Sequence, residues 1–508
     1  MKNPRIIFGI AFLEGFSVLL LEMLSKNVLA PYFGNSLTIW SIVIGNTFLF
    51  LSLGYLLGTR YLRKDKTRVL ALIFSLLAVL CISIPLLSSW LIPYFVSESL
   101  HSGALKSHLI LFGPVFTLFG IINPLLIESW AETRKEQGYG IHSGVIFFIS
   151  TLGGLLSSLI ITLLFLSNIE INYTIIGLGL VLFVLSFLLF GKKVNFTLSG
   201  IFALLLIIYF WQNPETPSNS KLIYHSNDLF GDLKVYDQPD SKNNRTLRYL
   251  SVNNIPQTIM ENNRSVNSIW DYVHRISIIS SIKQNGKALL VGMGGGTIAS
   301  ELQKLHFGLD IVDIDKRMPE LARKYFYFQP GSSVFHNEDA RYYLNKSNKK
   351  YDLIVFDVLN GESQPVNLFT REGCREIKKD LEDQGMVIIE FQESLTHDGV
   401  AYKSICNTLL KEGFSVYNSI SYGQISDVLI IAAKNPIDFS QLDRSRFTPN
   451  CSRLPWLNDF ISKPFTKLNI PFENGILLTD NMPILEKLCE ETRKKWRENS
   501  MNQILPKK

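Results

Sequence analysis

Seven apolar runs fill the first 211 residues, at roughly 6–30, 37–60, 69–94, 107–130, 141–166, 171–191 and 196–211. The hydrocarbon core of a bilayer is about 30 Å thick, and roughly 20 apolar helical residues cross it. Each run is long enough to do so, or nearly so. Lipid offers no partner to a bare N–H or C=O, so this half is committed to helices packed on helices. The first run is not a cleavable signal, because it is too long and further spans follow it directly.

Basic residues cluster in alternate loops. Arg60, Arg63, Lys64, Lys66 and Arg68 follow the second run, Arg134 and Lys135 the fourth, and Lys192 and Lys193 the sixth. The intervening loops hold only isolated lysines such as Lys106. The positive-inside rule then places the N-terminus in the cytoplasm, and a multi-pass protein of the plasma (inner) membrane is expected. Polar residues interrupt two of the runs: Glu14, Glu22 and Lys26 in one, Asn123, Pro124 and Glu128 in another. Ionisable groups in hydrocarbon cost several kcal/mol, so they line a cavity or pair internally. Glu22 and Lys26 are one helical turn apart and read equally well as an internal pair, whereas Glu14 lies deeper. Gly153-Gly154 with Ser157-Ser158 reads as close helix packing.

The chain has 508 residues, of which 47% are hydrophobic and only 19% charged. That average conceals an apolar first half and a second half of ordinary globular composition. The net charge of +6 is spread along the chain with no basic, aromatic-interleaved stripe, which argues against nucleic acid as a partner. The five cysteines (Cys81, Cys374, Cys406, Cys451 and Cys489) are odd in number and lack metal-ligand spacing. Neither a disulfide framework nor a metal site is expected, although one disulfide pair stays open.

A polar, proline-bearing linker at 212–221 separates the halves. Residues 222–286 follow as a small β region, with alternating segments at Gly231–Tyr236 and Arg245–Val252. From residue 287 to 440, strands at 288–291, 309–313, 332–336, 352–357 and 385–391 alternate with helical segments. This pattern predicts a doubly wound α/β domain, a mostly parallel sheet with helices on both faces. A C-terminal extension covers 441–508.

The first of these strands runs into Gly292-Met293-Gly294-Gly295-Gly296-Thr297, and the second ends at Asp313. A glycine turn lets the backbone approach a ligand without a Cβ in the way. An acid on the next strand can bond both ribose hydroxyls. Asp339 follows the third strand and Asp357 closes the fourth. Each acid alone could be a helix cap. Taken in order behind the turn, they point to an S-adenosyl-type site at the carboxyl ends of the strands. A dinucleotide fingerprint fits less well, because Thr297 falls where its third small residue belongs.

Residues 222–440 resemble the spermidine synthase family, aminopropyltransferases with a class I methyltransferase-like fold. The glycine turn lies where the family has Gly-Gly-Gly-Asp-Gly-Gly, with Glu301 downstream, and Asp313 with Asp315 matches its Glu-Ile-Asp. Asp339-Ala340-Arg341, Asp357, Leu368-Phe369-Thr370 and Gln257 fall on further family motifs. The first half resembles membrane-fused spermidine synthase-like proteins through Ala30–Ser36, Trp40, Gly54-Tyr55 and Gly58. Leu478-Thr479-Asp480-Asn481-Met482-Pro483 does so near the C-terminus. The resemblance implies cofactor contacts from Gln257, Gly292, Gly294, Gly295, Gly296, Asp313, Asp339 and Ala340, with Asp357 as catalytic base or orienting group. Tyr272, Asn360, Glu362 and Glu390 are the implied acceptor-side residues.

The departures lie on the amine side. Gly295 and Asn360 replace two family aspartates, Glu390 stands where a glutamine is usual, and Trp270-Asp271-Tyr272 blurs a Tyr-His-Glu segment. A buried ammonium needs a paired charge, so this side reads as eroded. The expected reaction is aminopropyl transfer from decarboxylated S-adenosylmethionine to a polyamine or other small amine. The rivals are methyl transfer from S-adenosylmethionine to a small or lipid-borne amine, and a non-catalytic transporter or sensor that binds an adenosyl ligand. The lipid bilayer is an expected partner, and homodimerisation is left open. Seven crossings from a cytoplasmic start would place the α/β domain outside, away from where such donors are made. A seventh run too short to cross would remove the conflict.

Overall fold

The computed structural model describes residues 3–504, apart from 35, 63–64, 97, 134–138, 161–168, 191–195, 212–215, 218, 242, 264–267, 360–364, 366, 395–398, 422–424, 443–464 and 483. Most of the basic loop residues, half of the linker and much of the C-terminal extension therefore lie outside the described residues. So do Asn360 and Glu362.

The chain forms two compact units, one built on Met1–Glu215 and the other on Leu233–Pro506. The first contains helices α1 (Pro4–Phe33), α2 (Leu37–Thr59), α3 (Lys66–Leu91), α4 (Leu100–Ala131), α5 (Tyr139–Ile160), α6 (Ile171–Phe190) and α7 (Phe196–Trp211). Each of the first four begins with a side chain accepting from an otherwise orphaned amide: Asn3 from Arg5, Ser36 from Ile39, Asp65 from Thr67, and Ser99 from Ser102. Among the described residues six helices are long and apolar enough to cross a membrane, whereas Thr197–Trp211 is shorter. The expected count of about seven spans is thus six by length, with the last run short.

Within this unit α2 packs on α4, α1 on α5, and α3 on α6. Glycines make the closest approaches. A Cβ on Gly153 would lie 2.1 Å from the Phe12 carbonyl oxygen, and one on Gly15 would lie 1.8 Å from that of Ser150. Gly153 therefore performs the packing role read from its sequence. Large apolar side chains such as Phe48, Phe148 and Leu188 face outward.

The second half opens on a four-stranded sheet of β1 (Lys221–Asp228), β2 (Gly231–Asp240), β3 (Arg245–Val252) and β4 (Ile255–Glu261), in that order. Helix α8 (Asp271–Ser280) leads into strand–helix alternation: β5 (Lys287–Val291), α9 (Thr297–Lys304), β6 (Gly308–Asp313), α10 (Met318–Tyr325), β7 (Val334–Asn337), α11 (Ala340–Lys346), β8 (Tyr351–Phe356), α12 (Arg371–Asp380) and β9 (Leu381–Glu393). Then come α13 (Val400–Lys411), β10 (Ser415–Ser421), β11 (Ser426–Ala433) and a short β12 (Thr466–Leu468). The large sheet has order β12-β10-β11-β9-β8-β5-β6-β7. Strands β9 to β7 run parallel, and β11, β10 and β12 pair antiparallel at the other edge.

Strand β5 explains why a short apolar run becomes the centre of the sheet. Ala288 and Leu290 enter one buried cluster, while Leu289 and Val291 enter the cluster on the opposite face. A strand covered on both sides reads as continuous apolar sequence instead of alternation. The chain winds outward from β5 through β6 to β7, then returns to lay β8 on the other side of β5. That reversal opens a crevice beyond the carboxyl ends of β5 and β8.

Candidate active site

The glycine turn occupies this crevice. Gly292, Gly294 and Gly296 adopt φ of +88°, +49° and +78°, and a Cβ on Gly292 would sit 2.0 Å from the Asp357 carbonyl oxygen. Any side chain at position 292 would break the junction between the turn and the end of β8. The Asp357 amide donates to Val291 O at 2.9 Å, which sets that junction from the other side. The Gly295 amide donates to Thr258 Oγ at 2.8 Å, so β4 is brought against the turn and Gln257 with it.

Asp313 ends β6 and accepts from the amides of Met293 (2.9 Å) and Asp315 (2.8 Å). Removal from bulk water pushes its carboxyl up to about 6, against the lowering effect of those two donors. Asp315 is instead held by the Arg317 guanidinium at 2.7 Å. Asp339 is exposed and caps α11 through the Tyr342 amide at 2.9 Å, and Ala340 is the first residue of that helix. The neighbouring Asn337 side chain donates to the Asp313 carbonyl at 3.0 Å, which ties the ends of β6 and β7 together.

Asp357, Tyr272 and Glu390 converge with acids that the sequence reading did not single out for the site. Burial pushes Asp357 up to about 7, and the charges of Asp427 and Asp313 push in the same direction. Glu390 is buried on β9 and is driven well above the ordinary carboxyl range by burial, then by Asp357 and Asp427. One of its carboxylate oxygens lacks a hydrogen-bond partner. Asp427 on β11 accepts from Gln392 at 3.2 Å and is raised to about 6, by burial first and Asp271 second. The Tyr272 hydroxyl is also raised, by burial and then by Asp357, Glu390, Asp427 and Asp271. Asp271 is paired with Arg275 at 2.7 Å.

The missed acid, Asp427, had one available signal. It opens the apolar run Val428–Ala433, and it lies opposite Gln392 in the β9–β11 register. Because β11 is antiparallel, its first residues lie where the parallel strands end. Glu301 was read as a family position; it accepts from Ser277 at 3.1 Å and pairs with Lys304, a packing role. Three remote motifs meet in one polar hub: Asp480 accepts from Thr370 Oγ at 2.6 Å and pairs with Arg341 at 3.0 Å. No group of three or more metal-ligating side chains is found among the described residues.

A parallel sheet whose strand order reverses beside β5, with a glycine turn and an acid on the next strand, defines an α/β domain of the class I methyltransferase type. Residues 276–423 match the Spermine/spermidine synthase domain, and the chain is spermidine synthase-like. It is 37% identical over 128 residues to a polyamine aminopropyltransferase of Vibrio vulnificus, a match spanning 23% of this chain and 43% of that one. It is 22% identical over 468 residues to polyamine aminopropyltransferase 2 of Aquifex aeolicus, spanning 87% of this chain and 90% of that one. A crystal structure of a probable spermidine synthase from Corynebacterium glutamicum overlaps 50% of this chain and 100% of its own, at 16% identity and a TM-score of 0.37.

Proposed function

We propose that the protein transfers an aminopropyl group from decarboxylated S-adenosylmethionine, as a substrate, to an amine, and that its helical unit spans a membrane. The observation that carries this reading is the buried acid group of Asp357, Glu390 and Asp427, with an unpartnered Glu390 oxygen, beside the glycine turn. Buried carboxylates are costly where their charge is not offset; Arg275 offsets part of the charge at Asp427, and a bound ammonium would offset more of it. Glu390 and Asp427 supply buried acidity where Gly295 and Asn360 replace family aspartates, so the amine side reads as rearranged.

The chemistry asks little of covalent catalysis. The amine nitrogen attacks the carbon attached to the sulfonium, the C–S bond breaks, and its electron pair stays on sulfur as a neutral thioether. The new N–C bond leaves an ammonium whose excess proton passes to Asp357. A carboxylate raised to about 7 suits that role near neutral pH. Asp313 would hold the ribose, Gly292–Gly296 would admit the adenosyl group closely, and Gln257 and Asp339 would flank it. Six crossings, with the short α7 outside the count, would return the chain to the side on which it began.

Methyl transfer is the second reading. It is supported by 35% identity over 109 residues to an N-terminal histidine N-methyltransferase of Emericella nidulans, a match spanning 20% of this chain and 19% of that one. Mass spectrometry of the nucleoside products separates the readings when both donors are supplied with a panel of amines. Methylthioadenosine formed only with the decarboxylated donor is expected. S-adenosylhomocysteine would replace this reading with methyl transfer, and neither product would leave a binding protein.

A further inference from the structure

Glu14 sits within α1 and is only 3% exposed. Three other helices contribute polar groups to it. Ser150 of α5 donates to its carboxylate at 2.6 Å, and the Asn123 amide of α4 hydrogen-bonds to it. Tyr55 of α2 is hydrogen-bonded to the same amide and feels the Glu14 charge. Asn123 is itself 1% exposed, and its side-chain oxygen has no partner. Four helices thus place a carboxyl, a hydroxyl, an amide and a phenol in one apolar interior, with an acceptor left over.

The packing limits what such a site can take. Around Glu14 the α1 and α5 backbones touch, since a Cβ on Gly15 or Gly153 would overlap a carbonyl oxygen of the other helix. The orphaned group is an acceptor, and a proton on Glu14 would provide the missing donor once the amide turns over. Amide oxygen and nitrogen are nearly the same size, so that turn needs little repacking.

We propose that Glu14 is a proton-exchange site of the helical unit, with the Asn123 amide reversing as the proton comes and goes. The site is independent of the transfer chemistry assigned to the α/β unit. Tyr55 is the titratable group that faces it from α2, while α4 and α5 face it with the uncharged Asn123 and Ser150. On α1 itself the other ionisable residues are Arg5, more than two turns before Glu14, and Glu22, Lys26 and Tyr32, two or more turns after it; Lys26 lies over the Trp40 ring at 4.6 Å. Of the other titratable residues on packed elements, His108 meets Ser25, His142 Trp130, Tyr94 Trp90, Tyr173 Tyr209 and Lys106 Glu98, while His101 and Glu128 stand toward the two ends of α4.

The test is infrared difference spectroscopy of the full-length protein in lipid, stepped from about pH 5 to about pH 9, the range over which buried carboxyls titrate. A protonated-carboxyl band that disappears on alkalinisation, and is missing from Glu14→Gln, is expected. Asn123→Leu should keep that band, displace its midpoint, and remove the amide signal that follows it. A wild-type spectrum identical to that of Glu14→Gln at every pH would overturn the proposal. So would a midpoint that moves when sodium replaces potassium, which would mean a metal cation at the site.

Discussion

Asp357 and Asp313 face each other across the glycine turn, and a single substitution separates their roles. Asp357→Asn keeps the shape of the side chain but cannot accept a proton, so turnover should fall roughly 10²–10⁴-fold with adenosyl-ligand affinity nearly unchanged. A carboxylate that served only as a cap would survive this change, because asparagine caps as well as aspartate. With its carboxyl at about 7, wild-type turnover should rise about tenfold per pH unit below that value and level off above it. Since Asp427 and Glu390 interact with it, the observed midpoint belongs to the group of acids. Asp313→Ala should weaken adenosyl-ligand binding by about 1–3 kcal/mol, because it leaves hydroxyls unpaired. Calorimetry giving wild-type affinity would remove Asp313 from the site. The glycine turn and Asp313 were readable because they are local motifs on consecutive strands. Asp427 was not, since it reaches the crevice through antiparallel pairing with a strand far away in sequence.

The glycine turn and β4 form one element, and that decides what Gly295 means. The position looks like a lost aspartate, yet a Cβ there would lie 2.8 Å from the Thr258 methyl and 3.0 Å from the Phe326 ring. Restoring the acid by Gly295→Asp should therefore destabilise the protein by about 1–3 kcal/mol through overpacking, with no gain in turnover. Thermal melting would read the loss. Adding Thr258→Ser, which removes the methyl and keeps the hydroxyl that accepts from the turn, should recover part of it. Full recovery of turnover by Gly295→Asp alone would show that the turn tolerates its family residue. The strands at 288–291, 309–313 and 352–357 were legible to within a residue or so, since burial on both faces leaves an uninterrupted apolar signature. Strand β9 begins earlier than expected, at Leu381. Its polar stretch Glu382-Asp383-Gln384 is exposed and carries no apolar signal, although it belongs to the strand.

At the scale of the whole molecule, the proposed membrane topology turns on helix α7. Helix α7 has 16 residues, and at about 1.5 Å per residue it falls short of a bilayer core. A cysteine at Ser218 should then react with an impermeant maleimide only from the side that holds the N-terminus. Reaction from the opposite side alone would require α7 to cross. The four described cysteines are buried, so the background is small once Cys451 is replaced. The unpartnered Glu390 oxygen also has a consequence for the life of the protein in a cell. An acid raised by folding makes the empty molecule lose stability as pH climbs from the ordinary carboxyl value toward the folded one. An ammonium in the crevice reverses that loss, and stability gained by mass action grows with its concentration. Quality-control proteases sample the opened chain, so the protein's abundance would rise and fall with its own acceptor, a supply-matched lifetime that needs no separate regulator.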